Sequence, residues 1–493
     1  MAKRPHEACA EGARLAPAST GAQARALSRW SGYLGAMADI PAHLSELAAA
    51  VEPGDLLTDP ASIEHYRRDF AKDPAVGMPC AVLRARSVEQ VVAAMRWATA
   101  TRTPVVPRGA GSGLSGGSSA VDGALTLSLD RMTKVEIDVE TRTARVEPGA
   151  LNIDVKRAAR VHGLWYPPDP SSYEICSIGG NLATNAGGLC CVKYGVTTDY
   201  VLGLDVVLAD GRLLRLGGRQ IKDVAGLPLM KLFVGSEGTL GVITGAILRL
   251  VPALPPPATV VASFPTVTEA ASAVIAIGER MRASMMELMD NTSINAVEDL
   301  RSMGLDRSAG GLLIAQSDAP GSARTEEAEL MASLCQRHGA TEVFSTDDPE
   351  EGELFTAARR AAIFAIERRG ALLLEDVGVA VPLLPRLLSG ISQIAERRSV
   401  EIPVVAHAGD GNTHPIVVYD PADPASTANA NEAFAEVMTL AISLGGTITG
   451  EHGVGRLKKA ALPHQLGEDV MDVSRAIKAA LDPLGLMNPG AVL

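Results

Sequence analysis

Two histidines and one acidic-imidazole pair are the residues of this sequence best placed to do chemistry. His407 and His414 flank Ala408-Gly409-Asp410-Gly411-Asn412-Thr413. Asp-Gly between short apolar runs is a hairpin signal. Residues 404–408 make one predicted strand and residues 413–418 the other, with Pro415 limiting the pairing of the second. With Asp410 and Gly411 as the two central turn residues, Gly409 pairs with Asn412 and His407 falls opposite His414. Side chains so placed have Cβ atoms about 4.5–5.5 Å apart on one face. Two imidazoles at that spacing can share a divalent cation. Glu451-His452, within Gly450-Glu451-His452-Gly453-Val454-Gly455, offers a further ligand and a base.

Such groups need rigid elements behind them. Residues 87–101 carry apolar side chains at helical spacing (Val88, Val91, Val92, Met95, Trp97, Ala98), and Ser87 with Gln90 makes a capping box. Strands are predicted at residues 104–107, 124–129, 135–139 and 143–146, and a helix at 152–162. Residues 201–208 and 212–216 straddle Asp210-Gly211 as a second hairpin. Four prolines within residues 252–257 mark a boundary. Beyond them, strands at 260–264 and 312–316 alternate with helices at 267–282 and 323–338, the rhythm of a sheet covered by helices. A long helix is expected at 350–369, strands at 371–377 and 404–408, and helices at 431–444 and 466–481.

A chain of 493 residues holds two or more domains. Aromatic residues are only 3% of it, so its core must be built from small aliphatic side chains. A net charge of −12 without a basic run argues against nucleic acid and anionic membranes as partners. No stretch approaches the roughly 18 apolar residues of a membrane span. The cysteines (Cys9, Cys80, Cys176, Cys190, Cys191, Cys335) form no Cys-x-x-Cys, and reduced thiols in a cytoplasmic protein are expected. Residues 1–40, rich in Ala with scattered Arg, Glu and Pro, are read as a mobile N-terminal extension, with a short helix around residues 22–34.

Arg108-Gly109-Ala110-Gly111-Ser112-Gly113-Leu114-Ser115-Gly116-Gly117 lets backbone amides approach an anion closely, and a diphosphate is the natural guest. Its glycines match the dinucleotide fingerprint, with Asp130 about 20 residues on. A Rossmann site requires a helix directly after the glycines, whereas a strand is predicted here, so that reading is set aside. Residues 177–188 and 235–241 are equally glycine-rich. Three such segments imply a large ligand touched by backbone throughout, and a flavin dinucleotide is of that kind.

Here a resemblance becomes specific. From about residue 45 to the end the chain resembles the FAD-linked oxidases of the vanillyl-alcohol oxidase type. Within them it is similar to the branch of D-lactate dehydrogenase (cytochrome), the glycolate oxidase flavoprotein subunit and D-2-hydroxyglutarate dehydrogenase. The motifs are the 107–113 loop, Pro168-Asp169-Pro170-Ser171-Ser172, the 177–188 stretch, Lys193-Tyr194-Gly195, the 235–241 loop, the 407–414 hairpin, the 450–455 loop and Asn488-Pro489-Gly490. The resemblance implies an α+β fold: a two-subdomain FAD-binding domain over 41–255, a ferredoxin-like cap with the substrate and metal site over 256–455, and a C-terminal segment, 456–493, that returns to the FAD domain.

It also implies the ligand contacts. FAD would meet Pro107, Arg108, Gly109, Ala110, Gly111, Ser112 and Gly113. It would then meet Pro168, Asp169 and Ser172, and the stretch Ser177, Gly179, Gly180, Asn181, Thr184, Asn185, Gly187 and Gly188. Tyr194, Gly195, Glu237, Gly238, Gly241, Val242, Ile243 and Asn488 complete the set. No histidine lies between His65 and His162, so FAD is expected to be held non-covalently. His407, His414 and Glu451 are the implied ligands of Zn or Mn, which would polarise a substrate hydroxyl. Asn412 is a neighbour. His452 is the candidate base. Arg359 or Arg360 would clamp the substrate carboxylate, with Arg359 the better aligned.

The hydroxyglutarate branch carries a Lys in the strand after this helix, where this chain has Ala371-Leu372-Leu373-Leu374-Glu375-Asp376. That departure favours a short, apolar D-2-hydroxy acid, D-lactate first, over a dicarboxylate. Glycolate oxidation within a larger complex is the next reading. An electron acceptor is required, and a homodimer is the favoured assembly.

Overall fold

The computed structural model describes residues 41–493 apart from Lys72 and Pro74, so the N-terminal extension read from the sequence lies outside the described residues. The chain divides after Ala49. Of the first unit, a 3-10 turn at Ala42–Leu44 and a short helix at Ser45–Ala49 are described. The second unit runs from Ala50 to Leu493 and holds every sheet of the fold.

The first sheet is built from β1 (Leu56–Leu57), β2 (Ala81–Arg84), β3 (Val105–Arg108) and β4 (Leu125–Ser128), in the order β1-β2-β4-β3. β4 lies parallel to both β2 and β3, and all four of its residues are buried, as a central parallel strand requires. The helix Val88–Thr101 makes the crossover from β2 to β3. Ser87 caps it by accepting from the Gln90 amide, while Gln90 Oε1 accepts from the Arg86 amide at 2.7 Å. The first glycine loop therefore leaves the end of a buried parallel strand.

Next come β5 (Val135–Asp138), β6 (Thr143–Val146), β7 (Leu164–Trp165), β8 (Val201–Val207), β9 (Leu213–Gly217), β10 (Val242–Arg249) and β11 (Val251–Pro252). Five form an antiparallel sheet, β5-β6-β10-β8-β9, and β7 pairs with β11 in a separate ribbon. Helices Asn152–Arg160 and Ile178–Thr184 supply Val155, Ala159, Ile178 and Leu182 to its aliphatic core. The second glycine-rich stretch thus folds partly as a helix. Ser177 caps it, and Asn185 ends it at φ 52°, in the left-handed region. Gly179 is forced by contact, because a Cβ there would lie 2.7 Å from that of Pro148.

The remaining strands are β12 (Ala258–Phe264), β13 (Met285–Asp290), β14 (Gly311–Ser317), β15 (Glu342–Thr346), β16 (Ala371–Leu374), β17 (Val377–Gly378), β18 (Val404–His407) and β19 (Asn412–Tyr419). They form one antiparallel sheet in the order β15-β12-β14-β13-β18-β19-β16, with β17 also on β19. Its first four strands, β15-β12-β14-β13, have the ferredoxin-like order, with helices Val267–Gly278 and Ala323–Arg337 as the two crossovers. β13, which no sequence signal had marked, joins this half of the sheet to the histidine hairpin through β18.

The C-terminal helix Glu468–Leu481 leads into a tail that crosses back to the first sheet. The Val105 amide donates to Leu486 O and the Asn488 amide to Val105 O, both at 2.8 Å. Asn488 Nδ2 then donates to Gly117 O and Glu237 O, each at 2.7 Å, so one buried amide joins the first and third glycine loops. Among the described residues no helix is long and apolar enough to cross a membrane.

Asn488→Ala leaves two carbonyls without this donor. Each unsatisfied group costs about 1–3 kcal/mol, so a loss of at least ~2 kcal/mol is expected as a lowered urea midpoint. An unchanged midpoint would mean that water replaces the amide at both carbonyls.

Candidate functional site

The hairpin sets the geometry. In the β18–β19 ladder His407 faces Asn412 and Val405 faces His414, so the expected His407–His414 register is displaced by two residues. The loop holds residues 408–411 rather than Asp410-Gly411 alone. Gly411 ends it at φ 85°, and the amides of Asp410 and Gly411 both donate to His407 O. A Cβ on Gly411 would collide with Val379 O. Asp-Gly thus takes the last two places of a longer loop, with glycine alone in the left-handed region. A two-residue displacement preserves the face, because side chains alternate with a period of two. His407 and His414 become diagonal neighbours with ring centroids 5.1 Å apart and planes at 87°.

Glu451 reaches this pair from a distant loop. Its Oε1 lies 3.2 Å from His407 Nε2, 3.3 Å from His414 Nε2 and 3.9 Å from His452 Nε2. The loop is held by Asp376, fully buried just after β16. Asp376 Oδ2 accepts from the amides of Gly450, Glu451 and His452 at 2.8–2.9 Å and from Thr449 Oγ1 at 2.6 Å. Burial opposes the charge on Asp376, but His452, Lys458 and His414 outweigh it and hold the carboxyl far below the usual range. Lys458 Nζ, 2.7 Å from Glu375 Oε2, braces the same turn by donating to Ile448 O at 2.7 Å.

On the opposite side His407 Nδ1 lies 2.8 Å from Glu287 Oε1, and Glu287 Oε2 lies 2.9 Å from Arg359 Nε, although that ionic contact is poorly aligned for a hydrogen bond. Glu287 projects from the middle of β13, where it faces His407 across the ladder, and is 0% exposed. A carboxylate on Nδ1 fixes it as the donor and leaves the Nε2 lone pair for the Glu451 side. Burial opposes a charge on His407, yet Glu287 and Glu451 prevail and the ring keeps its proton well above the usual imidazole range. Surroundings that retain a proton so firmly are suited to a cation in its place.

Two overlapping donor sets meet at His414: His407-His414-Glu451 and Asp376-His414-His452. Imidazole lone pairs lie in the ring plane. The perpendicular His407 and His414 rings can aim Nε2 at one point. The His414 and His452 rings are stacked, 4.8 Å apart at 11°, so their lone pairs run side by side and cannot converge. The first set therefore fits a divalent ion, with two nitrogens and one carboxylate suited to Zn or Mn. His452 stays outside it, its ring pushed down by burial to a pKa of about 4 and so neutral near pH 7.

The glycine loops approach this cluster. Seven consecutive amides, residues 111–117, have no acceptor within the protein among the described residues, although Gly111, Ser115 and Gly116 are buried. Buried amides require acceptors, and a diphosphate would supply them. Ser177 Oγ accepts from the Ala110 amide at 3.1 Å and the Gly180 amide at 3.4 Å, locking the first loop to the second. At Gly187 a Cβ would stand 2.7 Å from Glu451 Oε2, so this glycine lets the second glycine-rich stretch reach the cluster. A cleft of about 490 Å³ opens beside Gly187 and the cluster, lined by Gly187, His407, Asn412, Gly450 and Glu451 among others.

Several expected ligand residues have structural partners instead. Arg108 donates to Arg68 O and Ser118 O, bracing its own loop. Asp130, at the fingerprint's acidic position, pairs with Arg84. Tyr194 donates its hydroxyl to Asp318 just after β14, tying the short helix Cys191–Tyr194 to the last sheet. Glu237 accepts from the amides of Val454 and Gly455 at 2.7 and 2.8 Å, clamping the turn after His452. Asn181 bonds Asn152, Asn185 accepts from the Thr198 amide, and Thr184 donates to Gly180 O. Asn152 also donates to Pro168 O. Asp169 accepts from the Cys190 amide, and the Ser172 carbonyl from those of Ile175 and Cys176. Val242 and Ile243 are buried in β10, next to the Gly238 and Gly241 turn, and Gly195, at φ 78°, ends the short helix Cys191–Tyr194.

Arg359, expected to clamp a substrate, is instead 1% exposed and faces Glu287. The neighbouring Arg360 remains accessible, 3.0 Å from Glu353 and 3.8 Å from Asp169. Glu287, Asp376 and Lys458 were missed. The available signal for Glu287 was a single carboxylate inside Met285-Met286-Glu287-Leu288-Met289.

The sequence matches the FAD binding domain family over residues 79–217 and the C-terminal domain of FAD linked oxidases over residues 256–492. It is 40% identical to "Glycolate oxidase subunit GlcD" of Bacillus subtilis, over 84% of this chain and 88% of that protein. With "D-lactate dehydrogenase" of Archaeoglobus fulgidus it shares 33% identity over 84% of this chain and 91% of the other. In fold it is similar to a 4-ethylphenol oxidase from Gulosibacter chungangensis, with a TM-score of 0.75 at 20% identity, covering 92% and 98% of the two chains.

Glu287→Gln keeps the shape but removes the charge behind His407. The dissociation constant of ion-free protein for Zn or Mn should rise about 10–100-fold, read by competition with a chromogenic chelator. Equal affinity would deny Glu287 a part in ordering the site.

Proposed function

This chain belongs to the FAD-linked oxidase family, and we propose that it oxidises a small D-2-hydroxy acid to the corresponding 2-oxo acid. The observation that carries this reading is the meeting of His407, His414, Glu451 and His452 beside the glycine loops, with Gly187 against Glu451 and Ser115 of the amide cradle donating its hydroxyl to His452 O. The names of the similar relatives, a glycolate oxidase subunit and a D-lactate dehydrogenase, both describe hydroxy-acid oxidation.

When bound, FAD supplies the hydride acceptor. His407, His414 and Glu451 would hold a divalent ion, which would supply positive charge for the substrate oxygens. The remaining work belongs to side chains. His452, neutral and half-buried beside Glu451, takes the hydroxyl proton. Arg360, rather than the occupied Arg359, meets the carboxylate. Asp376 keeps Glu451 and His452 in place through three amides, and Glu287 keeps Nε2 of His407 turned toward the reaction. β16 offers no lysine, so a second carboxylate on the substrate finds no lysine there, which favours a monocarboxylate, with D-lactate the simplest chiral case. Because GlcD is named as a subunit, glycolate oxidation within a larger assembly is the second reading; turnover by the isolated chain with an artificial acceptor separates the two.

His452→Ala should retain yellow, bound FAD and lose anaerobic bleaching by D-lactate by about 10²–10⁴-fold. Bleaching at the full rate would remove His452 from the reaction. Exhaustive chelation should abolish turnover while the flavin stays bound, and an active, ion-free enzyme would overturn the metal assignment.

A further inference from the structure

A second cavity lies beside the cluster, and of its lining only Arg360 has a role in the reaction proposed for this chain. It holds about 190 Å³, between the sheet and the helix Pro349–Glu367. At roughly 30 Å³ for each water-sized group it has room for about six. Its floor is one row of side chains across three strands. Met285 of β13 faces Gln316 of β14, and Gln316 faces Thr259 of β12. The adjacent row contains Glu287 and His407. Met285 and Glu287 are two residues apart on the same face, so the cavity begins about 6.8 Å along the strand from the carboxylate that holds His407. Gly352, Thr356 and Arg360, on successive turns of the helix, make the roof, and Arg359 of the same helix contacts Glu287.

The floor is neutral and directional. Gln316 Nε2 donates to Thr259 Oγ1 at 3.1 Å and to Thr356 Oγ1 at 3.4 Å. Thr356 spends its own proton on Gly352 O at 3.2 Å, so it can only accept. This fixes the amide orientation. The Gln316 oxygen, to which nothing in the protein donates among the described residues, is left for the cavity. At the wall, Arg360 stands between Glu353 and Asp169, at the edge nearer the cluster's substrate carboxylate.

We infer that this cavity is the side-chain subsite of the substrate, and that it selects 2-hydroxy acids whose further carbons carry hydroxyl groups. The inference rests on the hydroxy-acid reading above. A hydroxyl donates to the Gln316 oxygen. An alkyl chain buries that oxygen without a donor. The ligand class is a short polyhydroxy acid of about four to six carbons.

The test uses the FAD-loaded enzyme and the anaerobic rate of flavin bleaching. Rates per unit concentration are compared for D-configured 2,3,4-trihydroxybutanoate and D-2-hydroxybutanoate, which have equal carbon chains. Their ratio should be on the order of tenfold in the natural protein, and Gln316→Leu should bring it below one. Both acids are measured on one preparation, so a misfolded fraction cancels. Thr356→Val, which frees the amide to turn, should lower the ratio without reversing it. A ratio of one or less in the natural protein, or no change in Gln316→Leu, overturns the subsite even if D-lactate bleaches the flavin. Bleaching by none of the three acids overturns the hydroxy-acid reading, and this inference with it.

Discussion

A line of alternating charges, Arg359–Glu287–His407–Glu451, buried except at its half-buried Glu451 end, organises this molecule. Each member comes from a different element: the helix Pro349–Glu367, β13, β18 and the 450–455 loop. None could be buried alone, since an isolated charge in a protein interior is very unfavourable. Placed together, each charge requires the next, and the helix, the sheet and the loop can close only in the arrangement that completes the line. The same requirement leaves Nε2 of His407, Nε2 of His414 and a carboxylate oxygen facing one point.

Asp376 performs the equivalent task for the loop. A single carboxylate oxygen takes three successive amides, so the backbone of residues 450–452 is wrapped around an anion belonging to the protein. The first glycine loop presents the same kind of amide array with no protein anion inside it. In one case the fold fills the nest itself and gains a fixed loop. In the other it leaves the nest for a ligand. Ser177, Gly187 and Asn488 then set the distance between the two, by bridging loops or by allowing a close approach.

How much of this could be read in advance depended on range. The helix Val88–Thr101, its Ser87 cap and both Asp-Gly hairpins follow from local spacing and turn chemistry, and all are present. The hairpin register was misjudged because Asp-Gly serves two-residue turns and the ends of longer loops equally well. Here Val379 O, packed against Gly411, belongs to that loop's surroundings and not to its local sequence. His407 and His414 still share a face, because the error was an even number of residues. The strand Met285–Asp290 escaped notice because it is apolar apart from Glu287 and its terminal Asp290, without the alternation of a half-exposed strand.

The sequence by itself determined which chemistry was available: three glycine-rich loops for a phosphate-bearing cofactor, and imidazoles beside a carboxylate for a cation and a proton. These are properties of residue types at short spacing, and they survive without knowledge of the fold. Tertiary structure decided which of two adjacent arginines is locked and which is open, which pair of histidines can converge and which only stacks, and which buried carboxylate steers His407. Those outcomes depend on the angle between ring planes and on partners more than 70 residues apart, and no local pattern encodes either.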